Sequence, residues 1–227
     1  MSTQPLLAAD DVTKSFGATQ ALTGASLQVF PGEVVALTGP SGSGKSTLLH
    51  CLSGILAPDA GRITYDGHDL SELGDRERSA LRRDAFGFVF QFGQLVPELT
   101  CLENVALPLR LAGARRRRAE ELAGELLARL QVAEVAGKRP GQVSGGQGQR
   151  VAVARALIST PRVIFADEPT GALDSRNGEQ VIRLLVAAAK ERGSAVVLVT
   201  HEDRIAAAAD RVVAFHDGAN VNMAAAR

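Results

Sequence analysis

The nine residues Gly39-Pro-Ser-Gly-Ser-Gly-Lys45-Ser46-Thr47 constrain this chain more than any other segment. They satisfy the spacing GxxxxGK[ST], follow the apolar run Glu33 to Thr38 (EVVALT) and precede a stretch of helical period. A strand must therefore turn sharply into a helix around a glycine-rich loop. Such a loop gathers bare backbone N–H groups and the positive end of a helix into one concavity, the natural seat of the β- and γ-phosphates of a nucleotide. Gly39, Ser41, Gly42, Ser43, Gly44 and Thr47 belong to that cradle; Lys45 adds a full positive charge, and Ser46 offers a hydroxyl to Mg2+.

The apolar run before the loop has two counterparts, Arg162 to Asp167 (RVIFAD) and Ala195 to Thr200 (AVVLVT). Nearly unbroken apolar strands separated by longer segments of helical period predict an α/β fold whose parallel sheet is covered on both faces, with these three strands at its centre. Leu6 to Phe16, Leu22 to Phe30 and Arg62 to Tyr65, the last followed by the turn-like Asp66-Gly67, alternate more and predict a small antiparallel layer. Residues 92–155 read as an inserted helical subdomain, interrupted by Pro97, Pro108 and Pro140; residues 1–91 and 156–227 form the nucleotide-binding core with its β layer. The whole is one domain with an insertion. Thr100-Cys-Leu-Glu103 fits a capping box, and Glu120 and Glu121 stand four residues after Arg116 and Arg117, where a solvated helix pairs them.

With 25 basic side chains against 25 acidic ones, 45% apolar residues and 22% charged, neither disorder nor a nucleic-acid binder driven by bulk charge fits. No apolar run approaches the roughly 20 residues of a membrane span, and Met1 to Asp10 lacks the basic and apolar regions of a secretory signal, so a soluble cytoplasmic protein is expected. Cys51 and Cys101 have no CxxC partner and read as reduced packing residues.

Asp167 and Glu168 close the second apolar strand, and in parallel sheets ligands gather at the carboxyl ends of strands. Neighbours on an extended strand point apart, which divides the pair: Asp167 toward Mg2+ or its waters, Glu168 toward the water that attacks the γ-phosphate. By itself an Asp-Glu pair equally caps a helix. His201 follows the third strand and emerges on the same edge, placed to donate to a developing oxyanion or position the water; alone, a histidine there is more often a satisfied structural residue. Gln91, closing Gly87-Phe-Val-Phe-Gln91, is a neutral group suited to Mg2+ or water. Ser144-Gly145-Gly146-Gln147 opens another helical segment with Val151, Ala154 and Ile158 on one stripe. It reads either as an ordinary N-cap or as a second anion-binding helix end, and the latter suits the nucleotide held by another copy of the chain.

The phosphate loop, Gln91, Ser144 to Gln147, Asp167-Glu168, Ala172-Leu173-Asp174 and His201 occur in one order, and over nearly its whole length the chain resembles the ATP-binding cassette (ABC) ATPases. The resemblance implies a P-loop NTPase (RecA-like) core and a head-to-tail homodimer. Two ATP molecules, with Mg2+, lie between the phosphate loop of one subunit and the Ser-Gly-Gly segment of the other. It gives Leu173-Asp174 to communication across that interface, and catalysis to Lys45, Gln91, Glu168 and His201. Phe16 matches the position where an aromatic ring, more commonly tyrosine, stacks on adenine; from sequence alone it is equally a core residue. Val143 replaces the usual leucine, and Gly148 stands where a helix-favouring Gln or Glu is common, at a cost of ~1 kcal/mol relative to alanine.

Residues 87–109 and 167–174 are similar to a narrower group, the lipoprotein-release, macrolide-export, antimicrobial-peptide-resistance and cell-division (FtsE-like) ATPases. That likeness implies a partner, an integral membrane permease with a large extracytoplasmic domain. The chain would be peripheral at the inner face of the membrane, without inserting and without nucleic acid. An alternative is a signalling complex that moves no cargo and controls a cell-wall enzyme. Phe92, Leu95, Val96 and Leu99 are expected either to help receive the permease's cytoplasmic helix or to pack the helical subdomain.

Overall fold

The computed structural model describes residues 4–220. Ten strands run in chain order: β1 (Leu7–Phe16), β2 (Thr19–Val29), β3 (Val34–Thr38), β4 (Ala60–Tyr65), β5 (His68–Asp69), β6 (Phe86–Phe90), β7 (Val163–Asp167), β8 (Ala195–Val199), β9 (Arg211–His216) and β10 (Ala219–Asn220). Seven α-helices accompany them: α1 (Lys45–Leu52), α2 (Asp75–Asp84), α3 (Cys101–Leu111), α4 (Arg116–Arg129), α5 (Gly145–Leu157), α6 (Ser175–Arg192) and α7 (Asp203–Ala206). They fall into two compact units. One runs up to Arg82 and resumes at Ala195; the other spans Arg83–Ser194 and contains residues 92–155.

In the first unit, β2-β1-β4-β5 form the antiparallel layer expected from the alternating segments. Leu7 pairs with both Val29 and Tyr65, and the ladders slip around Asp11, whose φ is +48°. That bulge requires Gly61 opposite, where a Cβ would meet the Asp11 carbonyl oxygen at 2.4 Å. A second sheet places β3 between β8 and β9, parallel to both, with β10 beside β9. Val34 to Leu37 and Ala195 to Val199 are wholly buried, which is why their sequences are unbroken apolar runs.

In the second unit, β6 and β7 pair in parallel, and Phe86 and Phe88 pack on Phe165 with ring centroids 5.1 and 5.6 Å apart. Helix α3 opens with the expected capping box: the Thr100 hydroxyl accepts from the Glu103 N–H at 3.2 Å and Glu103 accepts from the Thr100 N–H at 3.0 Å. The arginine run is a solvated face, with Arg116–Glu120 at 2.6 Å and Arg117–Glu121 at 3.0 Å. Both cysteines are buried and free, and burial pushes the Cys51 thiol up to about 11, so it stays protonated. Among the described residues, no helix is long and apolar enough to cross a membrane.

Candidate functional site

The phosphate loop lies in the first unit. β3 ends at Thr38, and the chain then passes through left-handed conformations at Gly39, Gly42 and Gly44 (φ +138°, +80° and +97°) before α1 begins at Lys45. Side chains are excluded sterically as well: a Cβ on Gly39 would lie 2.1 Å from the Phe215 carbonyl oxygen and one on Gly44 2.4 Å from that of Ala21. Lys45 is only 4% exposed. Its ammonium donates to the carbonyls of Gly39 (3.0 Å) and Pro40 (2.7 Å) and to the Ser43 hydroxyl (3.2 Å), so three loop acceptors hold the charge inside the cradle. Helix α1 has no acidic residue in its first turn to oppose an anion at its N-terminus. Ser41 and Gly42 are exposed at the mouth; Ser46 and Thr47 are half-buried in the first helical turn.

Two further expected groups belong to the same unit. Phe16, at the end of β1, is 50% exposed, which removes the core alternative. His201 is exposed just past β8, where the Thr200 N–H donates to the Leu37 carbonyl at 3.1 Å and the Glu202 N–H to the Thr200 hydroxyl at 3.1 Å.

The second unit holds the rest. Ser144 is the N-cap of α5 in a capping box with Gln147: Ser144 Oγ accepts from the Gln147 N–H (3.3 Å) and Gln147 Oε1 accepts from the Ser144 N–H (3.0 Å). The N-cap and anion readings are therefore compatible. The box uses a lone pair of the hydroxyl, not its hydrogen, and leaves the N–H groups of Gly145 and Gly146 outside it. Leu173 and Asn177 flank those two glycines. Asp174 caps α6, accepting from the Asn177 N–H at 3.0 Å and its Nδ2 at 2.6 Å; these bonds hold the carboxyl below the usual carboxylate range.

Asp167 ends β7 as expected, but Glu168 departs from the strand. Its φ is +43°, so strand alternation does not set its direction, and it occupies a conformation costing a non-glycine residue of order 1–2 kcal/mol. Gln91 follows β6 and lies over Gly171, where a Cβ would be 2.6 Å from Gln91 Nε2. The turn carrying it is bolted to α5: Gln149 Nε2 donates to the Phe90 carbonyl at 2.8 Å, and Arg155 donates to those of Gly93 (2.7 Å) and Gln94 (2.8 Å). Sequence reasoning overlooked Gln149, Arg155 and Gly171. For Gln149 and Arg155 the available signal was a polar or charged residue on an otherwise apolar helix; Gly171, in the turn before α6, gave none.

A cavity of about 260 Å3 in this unit is lined by Gln91, Phe92, Leu95, Ser144 and Leu173 among others, with Phe92 75% exposed at its edge. The four apolar residues expected to act together separate here. Phe92 and Leu95 line the cavity; Val96 is held through both backbone groups by buried Asn104 (2.7 and 3.0 Å); Leu99 faces a different hollow beside α3 and α4. Among the described residues no three His, Cys, Asp or Glu side chains gather as a metal cage. Magnesium at a nucleotide needs none, because it keeps waters and takes one or two protein oxygens beside the phosphates; the Ser46 hydroxyl, Asp167 carboxylate and Gln91 carboxamide are donors of that kind.

Comparison with known proteins agrees with this geometry. The family described as "ABC transporter" matches residues 22–171. The lipoprotein-releasing system ATP-binding protein LolD 2 of Caulobacter vibrioides is 49% identical, covering 87% of this chain and 86% of that protein. The macrolide export ATP-binding/permease protein MacB of Marinobacter nauticus is 46% identical over 96% of this chain but only 34% of its own length. Among solved structures, a dimeric post-hydrolysis state of the ATP-binding cassette MJ0796 bound to ADP and Pi superposes with a TM-score of 0.87 at 40% identity, covering 94% of this chain and 96% of that one.

Proposed function

Because the chain belongs to the ABC transporter family as an ATP-hydrolysing cassette, we propose that it is the motor subunit of a permease complex of the lipoprotein-release and macrolide-export kind. The observation that carries the reading is the Lys45 ammonium, buried and held by three acceptors of its own loop at the N-terminus of a helix without acids. A triphosphate entering that loop replaces weak dipole partners with full negative charge.

Each residue then has a task. Phe16 stacks on the base; Gly39 to Thr47 wrap the β- and γ-phosphates; Ser46, Asp167 and Gln91 hold Mg2+, which neutralises charge on the phosphoryl oxygens. Glu168 accepts a hydrogen bond from the attacking water and aligns it with the γ-phosphorus, while His201 donates toward the oxygen on which charge develops. The new bond forms between water oxygen and phosphorus as the β–γ bridging bond breaks, leaving ADP and phosphate. Ser144 to Gln147 supply N–H and O–H donors to the γ-phosphate bound by a second copy, so ATP closes a homodimer and hydrolysis reopens it. The dimeric state of the MJ0796 cassette supports this assignment. Phe92 and Leu95, at the cavity between Gln91 and Ser144, receive the cytoplasmic helix of the permease, through which the subunit is held at the inner membrane face.

Glu168→Gln keeps ATP binding and abolishes phosphate release, and light scattering then finds a dimer at saturating Mg-ATP. Monomer alone under those conditions would remove the Ser144 assignment, and wild-type phosphate release would remove Glu168 from its role. Lys45→Ala weakens ATP binding in a titration.

A further inference from the structure

The base platform at Phe16 has a support of its own. The β1–β4 ladder ends at Thr13↔Ala60, two residues short of Ser15, and β1 also shifts register against β2 between Lys14 and Ser15. Strand pairing is thus irregular where Phe16 must be held. Asp59, the residue before β4, takes over: its N–H donates to the Thr13 carbonyl at 2.9 Å, Oδ2 accepts from the Ser15 N–H at 2.7 Å, and Oδ1 accepts from Lys14 Nζ at 2.7 Å. One residue clips three consecutive positions of β1. The Lys14 ammonium lies 5.9 Å from the Phe16 ring centroid, within cation–π reach. The Asp59 carboxyl is held below its ordinary range, first by the Lys14 hydrogen bond and then by the Ser15 N–H, so the clip is charged at neutral pH.

We propose that Asp59 is a positioning residue for nucleobase recognition: through Ser15 and Lys14 it fixes the end of β1 so that Phe16 presents its ring to the base. The proposal rests on the reading that Phe16 stacks on the base. Both β1 donors facing Asp59 are N–H groups, so Asp59→Asn sets an amide NH2 against one of them and loses the charge that holds the other. Lys14→Met keeps an apolar stem and removes the ion pair with Asp59 together with the ammonium beside the Phe16 ring.

The test compares binding of Mg-ATP and of Mg-tripolyphosphate, which lacks base and ribose, by titration calorimetry on the full chain, with melting curves to confirm folding. Asp59→Asn weakens ATP binding roughly three- to tenfold, the scale of one ordinary intramolecular hydrogen bond, and leaves tripolyphosphate within about twofold. KM for ATP rises while kcat stays level. Lys14→Met shows the same ligand-selective pattern with a smaller loss, and keeps the proposal testable should Asp59→Asn not fold. In a Phe16→Ala background, Asp59→Asn adds nothing. Unchanged ATP binding in Asp59→Asn, or an equal loss for both ligands, overturns the proposal while a selective loss in Phe16→Ala leaves the stacking reading standing. If Phe16→Ala itself binds ATP like wild type, the stacking reading falls and the proposal with it.

Discussion

Replacing Gly171 with alanine tests whether the position of Gln91 limits hydrolysis. The new Cβ would meet Gln91 Nε2 at 2.6 Å, Cγ at 3.1 Å and Cδ at 3.2 Å, whereas comfortable heavy-atom contacts begin near 3.5 Å, so the carboxamide must retreat by about 1 Å. Gly171 does not occupy the left-handed region, and the obstructing atoms end a flexible side chain. The fold therefore loses only the strain of an off-rotamer glutamine, about 1 kcal/mol. A displacement of that size at a group positioning metal or water is worth on the order of 100-fold in rate. We expect phosphate release at saturating Mg-ATP to fall 10- to 100-fold, ATP affinity to stay within about twofold because the Lys45 loop is untouched, and the melting temperature to drop by only a few degrees. Gln91→Ala provides the scale, and the double variant should be no slower than Gln91→Ala alone. A Gly171→Ala enzyme that turns over normally while Gln91→Ala is crippled would mean that the carboxamide tolerates the shift and that its exact position does not limit hydrolysis.

Gly148→Ala in the first turn of α5 should stabilise the protein by about 0.5–1 kcal/mol in denaturant unfolding, because the nearest atom to the new methyl is Val143 Cγ2 at 3.7 Å; a loss of stability would contradict this. Glu168→Gly should be more stable than Glu168→Ala, because glycine is spared the cost of about 1–2 kcal/mol at φ +43° while both variants lose the same side chain, and neither should release phosphate; an alanine variant as stable as the glycine variant would show that the left-handed conformation carries no strain. The Thr100 N–H and hydroxyl hold the Glu103 carboxyl below its ordinary value of 4.5. This contribution is complete above pH 4.5 and is lost as pH falls through the lower folded value, so Glu103→Gln should be less stable than wild type at pH 7, by a margin that narrows at a pH below 4.5. A gap equal at both pH values in chemical denaturation would rule out the charged capping box.

The parts of this protein legible in its sequence are those whose physics is local. The phosphate loop, the capping boxes at Thr100 and Ser144 and the Arg116–Glu120 pairs close hydrogen bonds or turns within a few residues, so spacing alone reveals them. The buried strands β3, β7 and β8 show because burial on both faces demands an unbroken apolar run. Helix α2 escaped notice because none of its residues is buried and no stripe forms; β6 did because Gly87, which lets the Ala156 carbonyl approach, dilutes its apolar run. β9 joins the sheet by parallel pairing with β3, and the two-residue β10 by antiparallel pairing with β9, contacts that sequence spacing does not display. The supports of the site were settled only in three dimensions: Gly171 under Gln91, Arg155 on the Gly93 and Gln94 carbonyls 62 and 61 residues away, Asp59 clipping the strand that bears Phe16 across 44. Which groups carry chemistry follows from residue type and short spacing, whereas what holds each in place is a contact between positions far apart in the chain, created only when the fold brings them together.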